Sequence, residues 1–144
     1  FQDEFFDAVW CSNVIEHIFH TENFLKECQR VLKEKGVLII TANNINSLTN
    51  RIRILFGLYP KWVAPSENFP WEKWPHPRFA DHVRVFSKST LKEVLKRAGF
   101  KVEKIVSDFV CFNLSWVTFP PWSEFLGKIF PSLGETLIAK ARKI

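Results

Sequence analysis

Residues 6–42 are arranged as a strand, a helix and a second strand, and this order constrains the fold more than any other part of the chain. Residues 37–40 form an unbroken apolar run, which is typical of a strand covered on both faces in a parallel sheet. The helix before this run is predicted to begin at the N-cap Thr21 and to end at Gly36. Because a strand, a crossover helix and a parallel strand form a right-handed βαβ unit, the sequence predicts an α/β fold.

The ends of the two strands indicate where a ligand would bind. In open α/β sheets, ligands lie beyond the carboxyl ends of the strands. Residues 11–20 and 41–47 follow the two predicted strands, so we expect the functional site in these two segments.

The rest of the chain alternates regular elements with aromatic segments. Helices are predicted at residues 46–56, capped by Asn46 or Ser47, and at residues 88–98, after Ser87. Strands are predicted at residues 100–107 and 136–143. The helix at 46–56 is expected to bury four apolar side chains, Leu48, Ile52, Leu55 and Phe56.

Aromatic residues make up 15% of the chain and concentrate in two proline-broken segments, at about residues 57–82 and 109–133. The first segment is interpreted as a lid, because long loops in compact domains often cover a site. Both segments could provide apolar walls for a lipid, isoprenoid or aromatic substrate, or contact a membrane interface. The alternative is that they pack on the sheet as accessory core or as a dimer interface.

Composition narrows the choice of partners. The net charge is +5, but Lys88, Lys92 and Lys96 recur at the spacing of a solvated helix face, so no nucleic-acid partner is expected. The three cysteines show no CxxC spacing and are interpreted as reduced residues of a cytoplasmic protein. No apolar run approaches the roughly 20 residues that span a bilayer.

Four sequence blocks, in this order, resemble the second half of a class I S-adenosylmethionine-dependent methyltransferase. They are FDAVWCSNVIEHI at 6–18, FLKECQRVLKEKGVLIITANN at 24–44, DHVRVFSKSTLKEVLKRAGFKVEKI at 81–105 and LIAKARK at 137–143. The closest group is the small-molecule type that includes quinone-biosynthesis enzymes. The resemblance implies a partial Rossmann-like methyltransferase sheet whose antiparallel last strand lies between its neighbours.

The family's glycine-rich cofactor loop and the acidic residue after its second strand have no counterpart in this sequence. The match begins at what would be the fourth strand, and the chain starts at Phe1 and contains no Met. Residues 1–144 are therefore interpreted as a fragment, the carboxyl-terminal part of a single methyltransferase domain with two insertions.

The resemblance also implies a set of site residues. Those expected to contact S-adenosylmethionine are Cys11, Ser12, Asn13, Val14 and His17. Those expected to act in catalysis are His17 and His82, and those expected to contact the acceptor are Asn43, Asn44 and Arg84. A histidine suits the role of general base, because an alcohol or phenol acceptor gains from a base with a pKa near neutrality.

No metal is expected, although part of a metal set is present. Glu16, His17 and His82 resemble part of the magnesium-binding set of related O-methyltransferases, which place a further Glu three residues before the Glu-His pair. Asn13 stands at that position, and the loss of an anionic ligand weakens a site for a hard cation.

The sequence therefore predicts a methyltransferase that acts on a small acceptor, which is apolar or lipid-linked. The protein is expected in the cytoplasm or peripheral at a membrane, and a homodimer is a further expectation. One alternative is a non-catalytic remnant that acts as an interaction module. A nicotinamide-dependent enzyme would use a similar sheet, but its glycine fingerprint is missing as well.

Overall fold

The computed structural model describes residues 1–63, 82–108, 125 and 129–144. Most of the two predicted insertions, the proposed lid and Cys111 lie outside these residues. The elements in chain order are β1 (Phe6–Cys11), a 3-10 turn (Ile15–His17), α1 (Thr21–Val31), β2 (Leu32–Asn43), α2 (Leu48–Leu55), α3 (Lys88–Arg97), β3 (Phe100–Ser107) and β4 (Thr136–Lys143).

The four strands form one sheet in the order β1-β2-β4-β3. β1 and β2 are parallel, and β4 runs antiparallel to both β2 and β3. The α/β fold and the antiparallel last strand between its neighbours are both confirmed. The carboxyl ends of β1 and β2 therefore lie side by side at one edge of the sheet, as the βαβ unit requires.

The predicted end of α1 at Gly36 is wrong, since the helix ends at Val31. The backbone amides of Glu4 and Phe5 donate to the carbonyls of Arg30 and Val31, at 3.0 and 2.9 Å. These bonds satisfy the last turn of the helix without a glycine cap. Residues 33–36 then form an irregularity in the pairing of β1 with β2.

The predicted N-cap of α1 is also displaced by one position. His20 is the N-cap and makes no side-chain capping bond, whereas Thr21 is the first helical residue. The hydroxyl of Thr21 donates to the carbonyl of Ile18 instead, at 3.3 Å. The helix start is thus tied to the 3-10 turn that precedes it.

One face of the sheet carries the core. Leu38 and Ile40 are fully buried, whereas Ile39 between them is 37% exposed. The expectation that residues 37–40 are covered on both faces therefore fails within the part of the chain that the structure describes. The buried face packs against α1 and α3 in a single apolar cluster that includes Leu25, Leu91, Leu95 and Phe100.

The buried face of α2 agrees with the prediction only in part, since Leu48 and Ile52 are half-buried. Ser47 caps the helix as expected, but Leu55 and Phe56 are 79% and 73% exposed. The helix instead buries Asn50, whose side chain accepts from the Lys61 amide at 2.7 Å. A buried amide must be hydrogen-bonded, and this bond provides a partner for Asn50 on the inward face of α2.

α3 follows its prediction closely. Ser87 and Thr90 form a reciprocal capping box at its start, and Gly99 follows its end with a φ of 82°. Lys88, Lys92 and Lys96 are exposed, as a solvated face requires. Among the described helices, none combines the length and the apolar character needed to cross a membrane.

Candidate active site

The loop after β1 is fixed to the end of β2 by one threonine. The Asn13 amide donates to Thr41 Oγ1 at 2.8 Å, and the Thr41 hydroxyl donates to Asn13 Oδ1 at 3.0 Å. Asn13 has a φ of 50°, a left-handed conformation that asparagine tolerates better than most residues. The side chains of Ser12, Asn13 and Val14 are exposed, so this anchored loop can present them to a ligand.

Cys11, also predicted to contact a cofactor, lies at the start of this loop but is buried. A hydrogen bond from the Cys28 thiol lowers the pKa of Cys11, while the same bond and burial raise the pKa of Cys28. The Cys11 side chain thus belongs to the packing between β1 and α1. A contact of Cys11 with a ligand would be made by its backbone.

The structure brings the two predicted catalytic histidines together. The rings of His17 and His82 lie edge to face with their centroids 4.7 Å apart. One potential ligand atom from each of Glu16, His17 and His82 lies within 4.8 Å of the others. His82 is buried and His17 is exposed, so one face of this cluster is open to solvent.

Backbone hydrogen bonds hold the two histidine segments side by side. The carbonyl of Glu16 accepts from the amides of Val83 and Arg84, at 2.9 and 3.0 Å. The guanidinium of Arg84, predicted to contact the acceptor, donates to the carbonyl of Phe19 at 2.6 Å. This side chain therefore helps to fix the turn beside the cluster.

Glu16 is a buried carboxylate that is only partly satisfied. Glu16 is only 1% exposed, and its Oε1 accepts a hydrogen bond from Asn43 Nδ2 at 3.1 Å. Oε2 is buried without a hydrogen-bond partner among the described residues. Burial of an unpaired carboxylate oxygen is costly, so this atom suits a bound cation or hydrogen-bond donor.

Asn43 and Asn44, both predicted to contact the acceptor, have different environments. Asn43 is half-buried and reaches the cluster through Glu16. Asn44 is fully buried, its Nδ2 donates to the carbonyls of Ser132 and Gly134, and its Oδ1 accepts from the Asn46 amide. The Asn44 side chain is therefore a tether for the segment before β4 and has no exposed group for an acceptor.

Sequence reasoning missed two residues that support the site, Trp62 and Glu135. The carbonyl of Trp62 lies 3.2 Å from His82 Nδ1, and its indole Nε1 donates to Glu135 Oε2 at 3.4 Å. Glu135 precedes β4, far along the chain from the histidines. No local pattern signals a contact between residues this distant, and only the sheet topology could have indicated it.

The sequence of this chain is similar to a known protein family and to individual known proteins. A model of the family described as "Methyltransferase domain" matches residues 1–105. The human mitochondrial ubiquinone biosynthesis O-methyltransferase is 34% identical over 103 residues, which are 72% of this chain and 25% of that protein. An uncharacterized protein of Methanocaldococcus jannaschii is 47% identical over 51 residues, or 33% of this chain and 21% of that protein.

Two solved structures show the same fold. A SAM-dependent methyltransferase from Thermotoga maritima has a TM-score of 0.65 at 22% identity, covering 99% of this chain and 58% of that one. One from Archaeoglobus fulgidus has a TM-score of 0.59 at 20% identity, covering 98% and 61%. The chain spans about a quarter of the human relative and a little over half of these two structures.

Proposed function

Because the chain belongs to the class I S-adenosylmethionine-dependent methyltransferases, we propose that it forms the methyl-transfer side of such an enzyme's active site. The observation that carries the proposal is the cluster of Glu16, His17 and His82 at the carboxyl edge of β1 and β2. Residues 12–14 lie on the same edge, where α/β sheets bind their ligands.

The loop after β1 has the properties expected of a cofactor wall. Its backbone is held by Thr41, and its side chains are exposed at the mouth of the site. S-adenosylmethionine would supply an activated methyl group there. The task of the chain is then to align the acceptor with that group and to exclude water, which are the main demands of an in-line transfer.

A histidine is the group best suited to take the acceptor's proton. The Trp62 carbonyl can only accept a hydrogen bond, so it favours the His82 tautomer in which Nδ1 donates to it. His17, which is exposed beside it, is positioned to contact the acceptor hydroxyl. The pair could thus accept a proton as the oxygen attacks the methyl group.

As an alternative to the base role, since a ring nitrogen that binds a metal cannot also accept a proton, the same cluster fits a divalent cation better than the sequence indicated. Two imidazoles and one carboxylate are a donor set typical of zinc, iron or manganese sites rather than of all-oxygen magnesium sites. The unpaired Glu16 Oε2 supplies the anionic ligand. A cation held by Glu16, His17 and His82 would lower the pKa of an acceptor hydroxyl.

The proposed acceptor is a small molecule with a hydroxyl group and an apolar or lipid-linked body. The human relative's name, a ubiquinone biosynthesis O-methyltransferase, supports an oxygen acceptor of this class. The test is transfer of a labelled methyl group from S-adenosylmethionine to a phenolic isoprenoid by the native protein. Label in the extracted phenol is expected; the same rate without protein would contradict the proposal.

We also propose that α2 rests on an anionic membrane surface, peripheral to the bilayer on its cytoplasmic side. An exposed apolar patch, here called the α2 patch, consists of Ile54, Leu55, Phe56, Leu58 and Tyr59. Residues 44–63 contain no Asp or Glu, while Arg51, Arg53 and Lys61 are cationic. Apolar side chains next to cations are characteristic of segments that lie in the interface of anionic lipid.

Replacing Leu55 and Phe56 together by Gln is expected to lower the protein's partition onto phosphatidylglycerol vesicles by about tenfold or more, because two apolar contacts with the lipid are lost. Ile144→Gln, at an equally exposed residue outside the α2 patch, is the matched control and should leave vesicle binding unchanged. Co-sedimentation with the vesicles measures the effect. Unchanged binding of the double variant would contradict the proposal, as would a dimer in the native protein that the double variant dissociates.

A further inference from the structure

We propose that Glu135 is a positioning residue, which acts through Trp62 to hold His82 in one tautomer and one orientation. The proposal rests on the proposed function of the histidine cluster and adds two residues to it. Among the described residues, buried Glu135 reaches the cluster through its hydrogen bond to Trp62, so it is a positioning and not a catalytic residue.

The backbone of Trp62 requires an external restraint. Its φ is 66°, in the left-handed region that a bulky residue seldom adopts. Such a conformation persists where surrounding contacts determine it, and it is common beside functional sites. One restraint on the side chain is the hydrogen bond from Trp62 Nε1 to Glu135 Oε2, at 3.4 Å.

The strained residue is the one that contacts His82. The Trp62 carbonyl lies 3.2 Å from His82 Nδ1, and the two ring centroids are 6.1 Å apart. A second hydrogen-bond partner on one ring nitrogen is what fixes the tautomer of a working histidine. Relaxation of the Trp62 backbone would move this carbonyl and remove the preference for a proton on Nδ1.

Glu135 is well suited to act as a fixed acceptor. It is 6% exposed, and its backbone carbonyl accepts from the Asn44 amide at 2.8 Å, directly before β4. The backbone of Glu135 is therefore fixed by the sheet, which restricts the position of its carboxylate. Its Oε1 has no partner among the described residues, so Oε2 and the indole make the contact on which the side chain's position depends.

The test compares Glu135→Ala, Glu135→Gln and Trp62→Phe. Gln keeps an oxygen that can accept from the indole, whereas Ala removes the acceptor and Phe removes the donor. The readout is the long-range nitrogen–proton NMR spectrum of His82 at neutral pH, which reports its tautomer. Glu135→Ala and Trp62→Phe should convert one tautomer to a mixture, and Glu135→Gln should retain the native spectrum.

In the enzyme assay, the two disruptive variants are expected to lower kcat by roughly 10-fold with little change in the KM for S-adenosylmethionine, the size usual for loss of a positioning contact. A native His82 spectrum in Trp62→Phe, which keeps the aromatic packing, would overturn the proposal. So would equal loss in Glu135→Gln and Glu135→Ala. Failure of the proposed function is distinguishable, because the native protein would then lack turnover while the NMR comparison still reports on His82.

Discussion

Replacing His82 by Asn is expected to lower kcat for methyl transfer by about 100-fold or more, the usual range for loss of a general base. Asn can still donate to the Trp62 carbonyl from the place of His82 Nδ1, but it has no group that titrates near neutral pH. The fold should therefore survive while the base is lost. Turnover measured at saturating substrate, together with thermal unfolding, separates the two effects.

His17 and His20 provide the comparison for this result. His17→Ala is expected to lower turnover as well, since its ring lies against that of His82. His20→Ala should have no effect, because His20 is exposed and makes no side-chain capping bond at the start of α1. Native turnover in both His82→Asn and His17→Ala would remove the pair from the catalytic machinery.

Replacing Asn44 by Ala is expected to lower the free energy of unfolding by about 3 kcal/mol, since each buried polar group left without a partner costs about 1–3 kcal/mol. The variant leaves the carbonyls of Ser132 and Gly134 and the amide of Asn46 without their side-chain partner. Asn44 also aligns the segment before β4. The variant is therefore expected to destabilise that segment and the end of β2 together. Urea unfolding measures the effect.

The matched control is Asn46→Ala, two residues away on the exposed side of the same turn. A surface substitution of this kind is expected to change the free energy of unfolding by less than about 0.5 kcal/mol. If Asn44→Ala were as mild as Asn46→Ala, the side chain would not be the tether that the hydrogen bonds indicate. A stable Asn44→Ala protein with weakened acceptor binding would instead support the contact predicted from the sequence.

The sequence was most informative where local signals agree with the final packing. The Ser87 cap, the Leu91 and Leu95 stripe and Gly99 define α3 without reference to the rest of the chain. The predictions failed for elements whose end or buried face depends on a contact with a distant part of the chain. The end of α1 depends on amides from Glu4 and Phe5, and the inward face of α2 depends on Asn50 and its bond to Lys61.

The same distinction applies to the site. His17 and His82 were identified because each lies in a recognisable block, and the fold brings their rings into contact. Trp62 and Glu135 lie in no such block, and the hydrogen bond between them joins residues 73 positions apart in the chain. The sequence also could not predict that Glu16 Oε2 is buried without a hydrogen-bond partner among the described residues, because burial depends on the assembled sheet edge.

The most direct test of the account is calorimetric binding of S-adenosylmethionine to the native protein and to its variants Thr41→Val and Thr41→Ser. Val removes the hydroxyl that anchors the loop after β1, and Ser keeps it. We expect the native and Ser proteins to bind alike and the Val protein to bind about tenfold more weakly, the loss of about 1.4 kcal/mol. Absence of binding by the native protein would contradict the methyltransferase assignment of this site, and equal binding by the Val variant would contradict the role of the Thr41 anchor.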